Sequence, residues 1–324
     1  MQNYIKFHNH FIDISLHKFI CEELENENLI IDKLFWKKLS NIIEDLEKRR
    51  IKLIKKRMFF QNEITQWHKK NKGDFFNKNS YKKFLYDIGY IVKENEDFKI
   101  KTTNIDQEIS SIPGPQLVVP LTNKRYAINA ANSRWGSLYD ALYGTDIIPY
   151  KGKFKIGESF NESRGKEVIK FAKAHLDLFF PIDGCSYKDV TKIQIIDNEL
   201  IFHDKNYNLK KMRNPNQFFG YIGIESDPEE IILKKNGIRI RLQIDNKHPI
   251  GKIDSFHLKD IIIESALSVI MDCEDSIVSV DTDDKIATFR NWMGLLDKTI
   301  KTEVKKDNVS FVRELSKDIL YKNP

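Results

Sequence analysis

The segment GPQLVVPLTNKRYAINAANSRWGSLYDALYGTD, residues 114–146, joins a short apolar run, a polar turn and a longer amphipathic pattern closed by Gly144. Residues 116–121 are too few for most helices but suit a buried strand, and Gly114-Pro115 ahead of them is a turn signal. A strand feeding a helix is half of a βα unit. Arg125 and Tyr126 open the helical part, where an Arg and free backbone N–H groups can hold phosphate. The same pair reads as a surface Arg beside a half-buried Tyr, and spacing alone favours that plainer reading over phosphate binding.

A second stretch of the same kind lies near the C-terminus. Residues 257–267 read as a helix and residues 268–271 as a short apolar strand running into Asp272, Glu274 and Asp275. Carboxylates at the carboxyl end of a buried strand are what a β/α barrel uses to build an active-site rim. The MDCEDS run, residues 271–276, crowds three of them into four positions, which costs energy unless a metal, an Arg or water relieves it. A solvated loop capping a helix is the other reading. Cys273 has no evident His partner and reads as a small buried residue. Residues 281–284 start a further helix, with acids near its N-terminus and Ile286, Phe289, Trp292, Met293, Leu295 and Leu296 on its apolar face. Two βα units thus bracket the middle of the chain, as an insertion inside a barrel would require.

That middle reads as α+β. Residues 164–180 carry Val168, Phe171, Ala172, Leu176 and Phe179 at helical spacing. Short strands follow with two hairpin signals, at Asp197-Asn198-Glu199 and at Lys234-Lys235-Asn236-Gly237. Residues 1–88 read as helical throughout, followed by a polar connection over residues 91–111. Within them, KRRIKLIKKR, residues 48–57, is the one dense basic run, with Ile51, Leu53 and Ile54 as its expected buried stripe.

Composition narrows the class. The chain has 324 residues, enough for about two domains, and its 31% charged residues are those of a water-soluble protein. Its longest apolar segment, residues 261–271, is interrupted by Glu264 and falls short of the roughly 20 residues of a spanning helix. No secretory leader is expected. Cys21, Cys185 and Cys273 are odd in number and far apart, giving neither a disulfide framework nor a CxxC metal site, and a reducing cytoplasm suits them. The formal charge of +6 admits nucleic acid or an anionic metabolite, but basic residues are interleaved with acids almost everywhere and no nucleic-acid module is recognisable. His8 and His10 are expected to be solvent-exposed, and HExxH, GxSxG, P-loop and GxGxxG motifs are absent from the sequence. On spacing alone the chain is a barrel fragment that binds an anionic ligand.

Beyond spacing, the 114–146 segment, RGKEVIKF at 164–171, KNGIRIRLQID at 235–245, PIGKIDSFHLKDIIIESALSVIMDCEDSIVSVDTDDK at 249–285 and FRNWMGLL at 289–296 closely resemble the malate synthase G family. The likeness extends from the helical start, including WHKKN and FLYDIGY, to about Arg313. The resemblance implies an α/β fold: an incomplete TIM (β/α)8 barrel with an N-terminal α-helical clasp and an inserted α/β domain. The implied division is 1–88 clasp, 89–134 linker and first barrel strand, 135–264 inserted domain, 265–295 barrel segment and 296–324 a return to the inserted domain.

The family condenses acetyl-CoA with glyoxylate and water to malate and CoA, using Mg2+, in the glyoxylate cycle. A carboxylate base removes a methyl proton, an Arg stabilises the enolate oxygen and the metal polarises the aldehyde. By motif matching the resemblance places acetyl-CoA contacts on Val118, Arg125, Tyr126, Ser276 and Arg313, and supporting acids at Asp272 and Glu274. Family chains are much longer. The catalytic Arg and Asp, both carboxylate metal ligands and the C-terminal domain are expected outside this sequence, so that the chain would be inactive alone. The whole family protein is expected to be a cytoplasmic monomer acting on small molecules, with neither nucleic acid nor membrane as a partner. The alternatives are a non-enzymatic half of a split enzyme or assembly module and, more remotely, a basic helical protein associated with nucleic acid.

Overall fold

The computed structural model describes residues 3–24, 33–73, 77–306 and 309–324. It separates into two units, residues 1–103 with 279–286, and residues 104–278 with 287–324.

In the first unit β1 (Tyr4–Phe7) and β2 (His10–Asp13) form an antiparallel hairpin, with His8 at φ 48° in its turn. This corrects the expectation of helix from the start, because short runs of alternating residues around a two-residue turn favour a hairpin. Asp13 then caps α1 (Ile14–Lys18), its Oδ1 accepting the Ser15 N–H at 2.8 Å. The long α2 (Lys33–Lys70) and α3 (Lys78–Asp87) follow. Near its start α2 buries Trp36 against Phe7 and His17, with ring centroids 5.1 and 5.0 Å apart. Near its end Trp67 meets Tyr81 of α3 at 4.5 Å. Between these contacts Ile51, Leu53 and Ile54 are 43, 65 and 41% exposed, so the expected buried stripe is an open face of this unit. His8 is exposed as expected, whereas His10 is half-buried.

The second unit runs α4 (Gln107–Ser110), β3 (Gln116–Pro120), α5 (Lys124–Asn132), β4 (Trp135–Ser137), α6 (Leu138–Gly144), α7 (Glu162–Phe179), β5 (Val190–Ile196), β6 (Glu199–Asp204) and β7 (Leu209–Lys211). It continues through β8 (Phe218–Ile224), β9 (Asp227–Lys235), β10 (Ile238–Ile244), α8 (Pro249–Ile253), β11 (Leu258–Glu264) and β12 (Ser268–Asp272). α9 (Thr282–Leu296), which belongs to this unit from residue 287 onward, β13 (Lys301–Lys306) and β14 (Val309–Glu314) complete it. The largest sheet has the order β4-β11-β10-β9-β8, and β5-β6-β7 forms another. Both expected hairpins are present. Asp197 and Asn198 at φ 51° and 63°, and Asn236 and Gly237 at 52° and 83°, supply the positive φ pairs that two-residue turns demand.

Residues 257–267 correct the sequence reading, because most of the expected helix is strand β11, paired with β10 and β4. Three successive β-branched residues, Ile261 to Ile263, favour a pleated strand over a helix in so short an apolar run. β11 lies inside the sheet that packs on α7, where Val168, Ala172 and Leu176 meet Phe202, Ile231, Leu242 and Leu258 in one buried cluster. The two strands expected to bracket the insertion, β3 and β12, hydrogen-bond to each other in parallel, with Val118 opposite Ile270. The architecture is mixed α/β, and the described residues form no closed barrel.

Candidate functional site

The carboxyl ends of β3 and β12 bring two loops side by side. The Leu121 N–H donates to the Asp272 carbonyl at 2.9 Å, which extends the parallel ladder by one step beyond the strands. After β3 the chain turns at Asn123, whose side chain accepts the Tyr126 N–H at 3.1 Å and caps α5. Arg125 and Tyr126 therefore stand in the first turn of α5, and both are exposed. At the far end of that helix Asn129 Oδ1 accepts from Arg313 Nε at 2.9 Å, and Asn132 donates to the Glu314 carbonyl at 3.0 Å. One short helix thus carries two of the expected contact residues and anchors a third.

After β12 the chain folds around one carboxylate. Asp272 Oδ1 accepts the N–H groups of Glu274 at 2.8 Å and Asp275 at 3.2 Å, and Oδ2 accepts that of Ser276 at 2.8 Å. The Ser276 hydroxyl and these N–H groups hold the Asp272 carboxyl down to about 2. The crowding of acids read from MDCEDS is relieved by hydrogen bonds, with Glu274 exposed to solvent. Cys273 is exposed, which corrects its expected burial: it follows the last strand residue and lies in the loop rather than under the sheet.

Because the folded pKa of Asp272 is depressed below the ordinary value, its contribution to stability is complete above about pH 4 and is lost as pH falls toward 2. A carboxyl-carbon NMR titration should place its midpoint near 2, and Ser276→Ala should raise that midpoint by removing the largest cause of the depression.

The structure therefore joins Asp272, Glu274 and Ser276 in one turn, sets that turn beside the β3 to α5 loop, and ties Arg313 to α5. Val118 lies apart from the loops, in the middle of β3 and 63% exposed. No hydrogen bond among the described residues links Arg125 or the Tyr126 side chain to the Asp272 turn. Nor do three His, Cys, Asp or Glu side chains converge on a possible metal position among the described residues. The acids here thus do not by themselves fit a divalent cation, the Asp272 oxygens being occupied by N–H donors.

Sequence reasoning missed Asn291. It is 3% exposed and donates from Nδ2 to the Leu121 and Thr122 carbonyls at 2.8 and 3.4 Å, fixing the loop after β3. An Asn amid Phe289, Trp292 and Leu295 was the available signal, since a polar side chain in an apolar stripe needs a partner.

Taken together these features define a class of mixed α/β protein in which a substantial α+β domain interrupts two adjacent parallel strands, with a polar site at their carboxyl ends. The family model of the malate synthase G alpha-beta insertion domain matches residues 160–235, within the interruption. Malate synthase G of Corynebacterium glutamicum is 44% identical over 308 residues, covering 94% of this chain and 41% of that protein. That of Halalkalibacterium halodurans is 42% identical over 292 residues, 90% of this chain and 40% of the relative. That of Corynebacterium efficiens is 42% identical over 287 residues, 89% and 38% respectively. The chain is similar to malate synthase G along about nine tenths of its own length, and it spans about two fifths of the length of these relatives.

Proposed function

We propose that this chain supplies the acetyl-CoA-binding part of a malate synthase, which condenses acetyl-CoA with glyoxylate and water to malate and CoA. The observation that carries the reading is the pairing of the β3 and β12 carboxyl ends, which sets the first turn of α5 in the same site region as the Asp272 turn. Arg125 and the N-terminal N–H groups of α5 suit the phosphates of CoA, and Arg313, held by Asn129, adds a second cation. Tyr126, Val118 and Ser276 offer an aromatic ring, an exposed apolar surface and a hydroxyl to the rest of the cofactor. Asp272 shapes the loop that presents Ser276 and Glu274; with its oxygens engaged by N–H donors it acts as a positioning residue.

The chemical steps are assigned to residues outside this chain. The base, the enolate-stabilising Arg and the carboxylates for Mg2+ belong, on this reading, to the remaining three fifths of the family protein, and β3 with β12 to an incomplete (β/α)8 barrel. The parallel ribbon supports that assignment. Val118 and Ile270, opposite each other, are 63 and 50% exposed, whereas parallel strands are ordinarily covered on both faces. The same exposure supports a second reading, in which the chain is a non-enzymatic half that assembles with a separately encoded remainder. Three free cysteines suit a reducing, cytoplasmic setting.

Calorimetry with CoA tests the reading. Arg125→Ala should weaken CoA binding about tenfold through loss of charge-assisted phosphate contacts, and should weaken dephospho-CoA less or equally according to which phosphate it meets. Unchanged CoA affinity in both Arg125→Ala and Arg313→Ala would remove the assignment.

A further inference from the structure

We propose that the second unit holds a separate binding site for an organic cation, in a cavity of 630 Å³ between α6, α7, β10 and β11. Its volume is within the range of small-molecule sites. One wall is aromatic. Tyr143 stacks on Phe160 with centroids 5.5 Å apart and planes at 14°. Gly165 makes room for that stack, since a Cβ there would come within 2.5 Å of the Phe160 ring. The segment leading to Phe160 is held in turn by the buried Arg164 and by Asn161, both of which donate to its carbonyls. The wall is thus fixed by the fold.

The charge of the lining is opposite to that of the whole chain, whose formal charge is +6. Asp140, Glu158 and Asp260 line the cavity, and none has a Lys, Arg or His partner within ion-pair distance among the described residues. Lys259, also in the lining, is paired with Asp245 at 3.6 Å. Asp260 is half-buried, accepting the Tyr139 and Ile261 N–H groups at 3.2 and 2.7 Å, and burial pushes its carboxyl up. A half-buried carboxylate beside two unpaired ones, facing stacked rings, is complementary to an ammonium or guanidinium carried on a flat or aliphatic body. The site shares none of its lining with the β3 and β12 loops.

Calorimetric titration of the 324-residue chain with benzylammonium, benzyl alcohol and benzoate tests it. Benzylammonium should saturate, benzyl alcohol should bind at least about tenfold more weakly, and benzoate should give no saturable heat. Asp140→Asn combined with Glu158→Gln changes two exposed carboxylates for which no hydrogen bond is seen among the described residues, and should weaken benzylammonium about tenfold with the circular dichroism spectrum retained. Asp260→Asn should do the same. No saturation by benzylammonium up to about 10 mM, equal affinity for the alcohol, or unchanged affinity in the double variant would overturn the proposal.

Discussion

Replacing Arg164 with Met is expected to lower the local stability of the inserted domain by about 3–5 kcal/mol, among the larger effects a single substitution produces. Arg164 is fully buried, and no carboxylate receives its charge among the described residues. Five carbonyls do so instead: those of Tyr143 (2.8 Å), Thr145 (2.7 Å), Ile148 (2.8 Å), Phe154 (3.0 Å) and Pro149 (3.4 Å). The guanidinium also lies 4.8 and 5.4 Å from the ring centroids of Tyr150 and Tyr143. A cation in the first turn of α7 is opposed by the helix dipole, so the carbonyls must compensate both that and desolvation. Met fills similar space and satisfies none of these acceptors. Native-state hydrogen exchange should show protection of the β8, β9 and β10 amides falling about 100- to 1,000-fold or more, with α2 unchanged. Arg164→Lys should cost less, about 2 kcal/mol, since one ammonium keeps the charge but cannot span the same set of carbonyls.

Lys173→Met is expected to be comparably severe, at about 3–5 kcal/mol, because it leaves a buried carboxylate without its cation. Lys173 lies 2.5 Å from Asp254, with the two side chains 7 and 1% exposed. It also donates to Ser255 Oγ at 3.1 Å and sits over the Phe256 ring. Asp254 in turn accepts the Phe256 and Leu258 N–H groups at 3.0 and 3.1 Å, so the pair joins α7 to the start of β11. The double change Lys173→Met with Asp254→Asn should recover part of the loss, because both of those N–H groups are accepted by Oδ1, which the amide oxygen can replace, and no charge is stranded. Exchange protection in β11 measured across the four proteins gives the coupling, and strict additivity would show that the pair does not act as one.

Both residues were legible as anomalies. Arg164 is in phase with Val168, Phe171 and Ala172, and Lys173 with Ile169 and Leu176, so each is a charge placed in the apolar stripe of α7. What they meet was not legible, since their partners come from loops and strands that no local pattern positions. The same division holds across the fold. α7, β3 and the two hairpins follow from periodicity and from Asn-Gly or Asp-Asn turns, which are local signals. The parallel pairing of β3 with β12 joins residues roughly 150 apart in sequence and follows from no local pattern.

β11 was misread because its apolar run is ambiguous by length, and β-branching in Ile261 to Ile263 was the better guide. The open middle of α2 shows the converse: a helical stripe indicates which face seeks burial, and in this unit nothing among the described residues covers it. At the candidate site, Asp272 and Ser276 stood out as an acidic run and a motif. Their joint role as a hydrogen-bonded turn depends on backbone N–H directions, which side-chain identity does not specify.

The relation between this chain and catalysis is tested most directly by malate formation from acetyl-CoA, glyoxylate and Mg2+. The 324-residue polypeptide should be assayed alone and mixed with a polypeptide carrying the remaining three fifths of Corynebacterium glutamicum malate synthase G. The account predicts no malate above background from either polypeptide alone and restored turnover in the mixture, abolished or strongly reduced by Arg125→Ala. Sustained turnover by the 324-residue polypeptide alone would contradict it.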